Sequence, residues 1–245
     1  MAEKRELLGI IGGMGAQATA CFYDVLHNQQ SVASEQEYLD ILLYSKPSIP
    51  DRTAFITGKS TDSPLEHLIH AVKMLESADA SCIVIPCATS HFFFNELVKA
   101  VEIPILNMLD ETARYVKECR IKNVCLLATD GTLEGGYFQK AFEKCAITVT
   151  VPSERTQADL MDIIYDIKRG DDVSPEALES IITEALTGGA EAVVLGCTEL
   201  CVITNKAWER NAVRSVVQNS AVINILEVLA EASLSFFRDQ NKCYG

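Results

Sequence analysis

The feature that most constrains the fold is an internal repeat. Ser63-Pro64 leads into a helical pattern, then Ala78-Asp79-Ala80 and the run Ile83-Val84-Ile85-Pro86-Cys87-Ala88-Thr89. Later, Ser174-Pro175 leads into a second helical pattern, then Gly188-Gly189-Ala190 and Val193-Val194-Leu195-Gly196-Cys197-Thr198. The two Ser-Pro pairs and the two cysteines are separated by nearly the same length of chain. Helix length, strand and cysteine recur together, which describes two similar α/β units. Ser63 and Ser174 are expected helix caps with Pro in the first turn, and Pro86 and Gly196 are expected strand ends.

Around the repeat, short apolar runs alternate with longer helical patterns. Strands are expected over 7–12, 38–44, 82–86, 103–106, 124–128, 147–151, 192–195 and 214–217. Helices are expected over 19–29, 65–77, 91–101, 109–118, 138–144, 159–169, 175–187 and 221–237. Strand–helix alternation implies mainly parallel sheets flanked by helices. The split between the two units falls near 104–109.

The chain has 245 residues, 48% apolar and 22% charged, enough to bury a core. Its formal net charge of −13 argues against nucleic acid as a partner. A single cationic pocket can still sit inside an acidic protein. No signal-like apolar region follows Met1–Glu6, and no apolar run reaches the roughly 18 residues of a membrane span, so a cytoplasmic protein without membrane contact is expected. The nine cysteines are odd in number and scattered, with no C-x-x-C pair, which disfavours a disulfide framework. With four histidines in the chain, a metal site at Cys197 and Cys201 is disfavoured as well.

Cys87 and Cys197 fall at the carboxyl ends of parallel strands, where such sheets line their ligand crevice. A helix start there would favour a thiolate through its N–H groups and dipole. The plainer reading is a small buried hydrophobe. Two thiols facing each other across one crevice suit removal of a proton from one face of a carbon and its return to the other. Thr89, Thr129, Thr132 and Thr198 also follow strands, where hydroxyls and helix-start amides bind carboxylates or simply cap helices. Arg52, in Ile49-Pro50-Asp51-Arg52-Thr53, suits a bidentate carboxylate clamp, and Lys168 suits a point charge. The competing readings are a surface pair of Arg52 with Asp51 and a helix C-terminal role for Lys168.

Gly13-x-Gly15-x-x-Ala18 satisfies a dinucleotide-binding pattern. The acid expected at the end of the second strand is missing, since Ser45 and Lys46 stand there. A loop binding a substrate carboxylate fits the same glycines. His91, one turn after Cys87, is open to a thiol-hydrolase pairing or to a capping or core role. A hydrolase leaves the second cysteine unexplained.

Taken together, Gly12-Gly13-Met14-Gly15 with Ala18-Thr19, Pro50-Asp51-Arg52-Thr53, Pro86-Cys87 with Thr89 and His91, Ala128-Thr129 with Gly131-Thr132, Ile167-Lys168 with Gly170, and Gly196-Cys197-Thr198-Glu199-Leu200 have a family likeness. The chain resembles the aspartate/glutamate racemase family, in particular its cofactor-independent aspartate racemase branch. The resemblance implies two pseudo-symmetric α/β domains with the active site in the cleft between them. The first domain would hold 1–106 plus a returning 211–245, and the second 107–210. It implies interconversion of L- and D-aspartate, or glutamate, without pyridoxal phosphate or any other cofactor, in a homodimer. Cys87 and Cys197 match the catalytic pair, Arg52 and Lys168 the carboxylate-holding cations, and Met14, Thr89, Thr129 and Thr198 pocket-lining positions. Ala88 occupies a substrate-contacting position where the family usually has Asn. Val217-Gln218-Asn219-Ser220 replaces the usual Ile-Asp-Ser, and Ala16 replaces a Pro.

Three competing functions remain open on the sequence. One is an altered-specificity or non-catalytic amino-acid-binding relative, suggested by Ala88. Another is a different Cys-dependent isomerase or decarboxylase on the same scaffold; Arg52 and Lys168 argue against a hydantoin substrate. The third is a nicotinamide oxidoreductase, suggested by Gly13 and Gly15.

Overall fold

The computed structural model describes residues 6–209 and 221–243. The strand expected over 214–217 and the departure at 217–220 lie outside the described residues.

The first unit is built on β1 (Leu7–Gly12), flanked by β2 (Asp40–Ser45) and β3 (Cys82–Val84) in the order β2-β1-β3, all parallel. The central strand is apolar on both faces, as a parallel strand covered by helices must be. Ile105 extends this sheet beyond β3 by one parallel bridge to Ile83, in place of the strand expected over 103–106. The second unit is built on β4 (Asn123–Leu127), with β5 (Thr148–Thr150), β6 (Ala192–Leu195) and β7 (Val222–Asn224) in the parallel order β5-β4-β6-β7. The sheets therefore repeat one topology. β1 corresponds to β4, β2 to β5, β3 to β6, and the Ile105 bridge to β7.

The helices are α1 (Ala16–Asn28), α2 (Arg52–Ile56), α3 (Leu65–Ser77), α4 (Phe94–Val98), α5 (Met108–Glu118), α6 (Asp130–Gly135), α7 (Tyr137–Lys144), α8 (Glu154–Arg169), α9 (Pro175–Thr187), α10 (Thr198–Glu209) and α11 (Ile225–Cys243). α3 and α9, the helices of the repeat, have the expected bounds. Leu68, Ala71, Val72 and Leu75 form the buried face of α3, and Leu178, Ile181 and Ile182 that of α9. The segment expected to start as a closing helix at Ala221 instead opens with β7 in the second sheet. α11 then packs against both α1 and α5.

Local hydrogen bonds account for the other differences. Asp51 Oδ1 accepts from Ala54 N at 2.7 Å and starts α2, and Thr129 Oγ1 accepts from Thr132 N at 3.2 Å at the head of α6. Neither short helix has enough periodicity to show in the sequence. Ser153 Oγ accepts from Thr156 N and moves the start of α8 back to Glu154. Ser174 is the N-cap of α9, but its hydroxyl turns to Glu176 rather than the backbone. Pro64, not Ser63, holds the cap position of α3. The helix expected over 91–101 is a 3-10 segment, Ala88–Phe93, followed by the short α4.

Candidate active site

Cys87 and Cys197 follow the equivalent strands β3 and β6, and their local geometry repeats as well. Ser90 N donates to Cys87 O at 3.2 Å, and Leu200 N donates to Cys197 O at 3.1 Å, three residues on in each case. Both cysteines are nearly sealed, at 5% and 4% exposure. Their surroundings differ. Cys87 packs with Met14 and Ile85 in the core of the first unit. The Cys197 thiol donates to Glu199 Oε2 at 3.0 Å, and Thr198 Oγ1 donates to the same oxygen at 3.4 Å. Gly15 N–H, from the loop after β1, donates to Glu199 Oε1 at 3.1 Å. Burial, and then the Glu199 carboxylate, push the Cys197 thiol well above its usual range; Lys168 opposes them without prevailing. This environment favours the thiol over the thiolate at Cys197.

Lys168 lies in the last turn of α8, within electrostatic reach of Glu199 and Cys197. Burial pulls its ammonium down, but Glu199 foremost, with Cys197 and Asp51, outweighs burial and the repulsion of Arg52, so its pKa is raised. Arg52 is 6% exposed at the start of α2. Its Nη1 donates to the carbonyls of Ile49 (3.1 Å) and Pro50 (3.0 Å), which fixes the guanidinium plane. Its Nε is buried and has no hydrogen-bond partner among the described residues. A buried N–H of this kind is costly unless a ligand completes it, and a carboxylate approaching side-on does so. The surface pairing of Arg52 with Asp51 is replaced by a different arrangement, since Asp51 Oδ1 is taken by Ala54 N and by the Tyr165 hydroxyl.

Three hydroxyls join the two units. Thr89 Oγ1 lies 3.1 Å from Thr129 Oγ1 and 2.9 Å from Thr132 Oγ1, and the last two are 3.0 Å apart. Close beside them Gly131 allows α6 to approach α2, because a Cβ there would stand 2.8 Å from Thr53 Cα. Met14 Sδ accepts from Ser90 Oγ at 3.4 Å, tying the loop after β1 to the 3-10 segment. Ala88 is buried beside Cys87 and presents only a methyl group where an amide was expected.

The glycine loop does not keep its amides for a phosphate. Gly13 N donates to Thr19 Oγ1 at 2.8 Å, and Gly15 N is held by Glu199. Gly13 has φ +91°, and a Cβ there would meet the Lys46 carbonyl carbon at 2.5 Å. His91 is a strut rather than a thiol partner. Its Nδ1 donates to Cys87 O at 3.0 Å, and its Nε2 accepts from Met108 N at 3.1 Å, at the head of α5. Burial lowers its pKa to about 4, so it stays neutral.

Residue spacing alone assigns no role to Glu199, although its motif is visible, and none to Tyr165. A carboxylate two residues after a buried strand-end cysteine was the available signal for Glu199. Its partner amide, Gly15, is too distant in the chain for spacing to reveal. Among the described residues no His/Cys/Asp/Glu group could hold a metal ion, and no helix is long and apolar enough to cross a membrane.

The two parallel sheets repeat one topology and meet along a seam that holds Arg52, Lys168, Glu199 and Cys197, with Cys87 at the equivalent strand end of the first unit. The match of the chain to a racemase family model makes it a racemase, an isomerase. The chain belongs to the Asp/Glu/Hydantoin racemase family, whose model matches residues 11–231. It is 29% identical to the structure of Picrophilus torridus aspartate racemase, covering 93% of this chain and 92% of that one with a TM-score of 0.76. An aspartate racemase homologue from Pyrococcus horikoshii shares the fold, with 24% identity, 94% and 98% coverage and a TM-score of 0.72. The broad specificity amino-acid racemase RacX of Bacillus subtilis is 24% identical over 243 residues, 94% of this chain and 98% of the relative.

Proposed function

We propose that the chain racemises an acidic amino acid, aspartate or glutamate, without a cofactor, by proton transfer between Cys87 and Cys197. The observation that carries this reading is the Cys197 thiol, hydrogen-bonded to Glu199 in the same seam as Lys168 and the unpaired Nε of Arg52. An acid group and two carboxylate-binding cations thereby converge. The equivalent strand end supplies the second thiol.

The α-proton of an amino acid is weakly acidic, so the pocket must stabilise the enediolate-like anion formed when it leaves. Lys168 and the threonine hydroxyls supply that stabilisation at the α-carboxylate. Arg52 takes the side-chain carboxylate along its unpaired Nε edge. In one direction the Cys87 thiolate removes the α-proton, and the Cys197 thiol donates its own proton to the opposite face. Cys87 is then a thiol and Cys197 a thiolate, and the reverse reaction runs from that state. Lys168 is the cation that offsets the Cys197 thiolate beside Glu199.

The test is incubation with L-aspartate or L-glutamate in D₂O. Racemisation with deuterium at the α-carbon is the expected result. No α-exchange with either acid, in folded and reduced protein, would refute the reading. Cys87→Ser and Cys197→Ser should each lower racemisation at least about a hundredfold, the usual scale of a positioned acid or base.

Ala88 favours a second reading in which the substrate range is broader. The missing amide removes one polar restraint beside Cys87, so the exchange panel includes neutral amino acids. Faster exchange of a neutral amino acid than of aspartate moves the substrate class. A homodimer completes the proposal, with sedimentation velocity as its test.

A further inference from the structure

Tyr165 takes part in neither proton transfer, yet it stands between the two cations. Its ring, on α8, lies under the Lys168 ammonium, with Nζ 4.9 Å from the ring centroid. Its hydroxyl crosses to the first unit and donates to Asp51 Oδ1 at 3.3 Å. That oxygen also caps α2, whose first residue is Arg52. Thr53, next on α2, has its buried hydroxyl beside the same phenol. One side chain thus touches the ammonium directly and the guanidinium through its helix cap.

We propose that Tyr165 is a positioning residue that sets the separation of Lys168 and Arg52, and through it the length of dicarboxylate the site accepts. This rests on the reading of Arg52 and Lys168 as carboxylate-binding groups. The cation–π contact restrains where Lys168 can point. The hydroxyl engages Asp51, a carboxylate whose charge acts on Lys168. Without it Asp51 keeps only its cap bond to Ala54 N, and its charge, less restrained, competes with the ligand for Lys168. A four-carbon diacid needs the two cations nearer together than a five-carbon one, so loosening the spacer erodes discrimination between them rather than affinity alone.

The experiment measures succinate and glutarate binding by calorimetry, and D₂O exchange of L-aspartate and L-glutamate, in the wild-type protein, Tyr165→Phe and Tyr165→Leu. The two diacids do not react, so binding is read separately from turnover. Tyr165→Phe keeps the ring and is expected to change the succinate-to-glutarate affinity ratio at least threefold, and the aspartate-to-glutamate ratio of kcat/KM in the same sense. Tyr165→Leu also removes the ring beneath Lys168 and is expected to weaken both diacids by a further several-fold. An unchanged ratio in Tyr165→Phe, whether the affinities are retained or fall together, overturns the inference, because a merely structural role weakens both diacids alike. Diacid binding that responds to Tyr165 without any α-exchange in the wild-type protein overturns the racemase reading and leaves the spacer standing. No diacid binding by the wild-type protein overturns the spacer, and the racemase reading then stands or falls on α-exchange alone.

Discussion

Cys87 and Cys197 share a strand-end position, but only Cys197 has a carboxylate two residues on; Thr89 stands in the corresponding place after Cys87. Besides burial, Glu199 raises the Cys197 pKa both by its charge and by accepting a hydrogen bond from the thiol. Glu199→Gln removes the charge, so the Cys197 pKa should fall. Its alkylation by a small reagent, followed by mass spectrometry across a pH series, should begin at lower pH than in the wild-type protein. An unshifted profile would show that burial alone holds the proton. The cysteines were readable from the sequence because the repeat paired them. The protonation state of Cys197 was not, because Glu199 is oriented by the amide of Gly15, a contact 184 residues long.

Among the elements, the long helices and the central strands were legible wherever one face or both are apolar, as in α3, α9, β1 and β6. The short ones were hidden because side-chain caps rather than periodicity create them, as Asp51 does for α2 and Thr129 for α6. His91 shows the same limit. It bonds the carbonyl of Cys87 and the head of α5 at once, and that double contact accompanies a 3-10 segment in place of the expected longer helix. Its pKa of about 4 in the folded chain lies below the ordinary 6.5, so the unfolded chain takes up the proton first as pH falls. The stability that His91 contributes is full above about pH 6.5 and declines as pH drops toward 4, by about 3 kcal/mol over that window. Urea unfolding at pH 7, 6 and 5 measures the slope. His91→Gln should be less stable at pH 7 by about 2 kcal/mol and flatter between pH 6.5 and 5.

Across the whole molecule, the doubled α/β plan was legible, and the seam was not. Thr89 with Thr129 and Thr132, Tyr165 with Asp51, Gly15 with Glu199, and Gly131 against Thr53 all join residues far apart in sequence. The seam leaves little slack at Gly131. Gly131→Ala pushes a methyl group toward the α2 backbone and should lower stability by about 1–3 kcal/mol, read as a lower Tm. Because the displaced helix begins at Arg52, the same variant should raise KM more than it lowers kcat. The inequality of the two thiols has a consequence fixed by thermodynamics. L and D enantiomers have equal free energies in water, so a racemase must show equal kcat/KM in its two directions. An acid placed beside only one sulfur can therefore make turnover unequal only if the KM values for the two mirror-image ligands are unequal in the same ratio, so that the faster enantiomer needs the higher concentration to saturate the site.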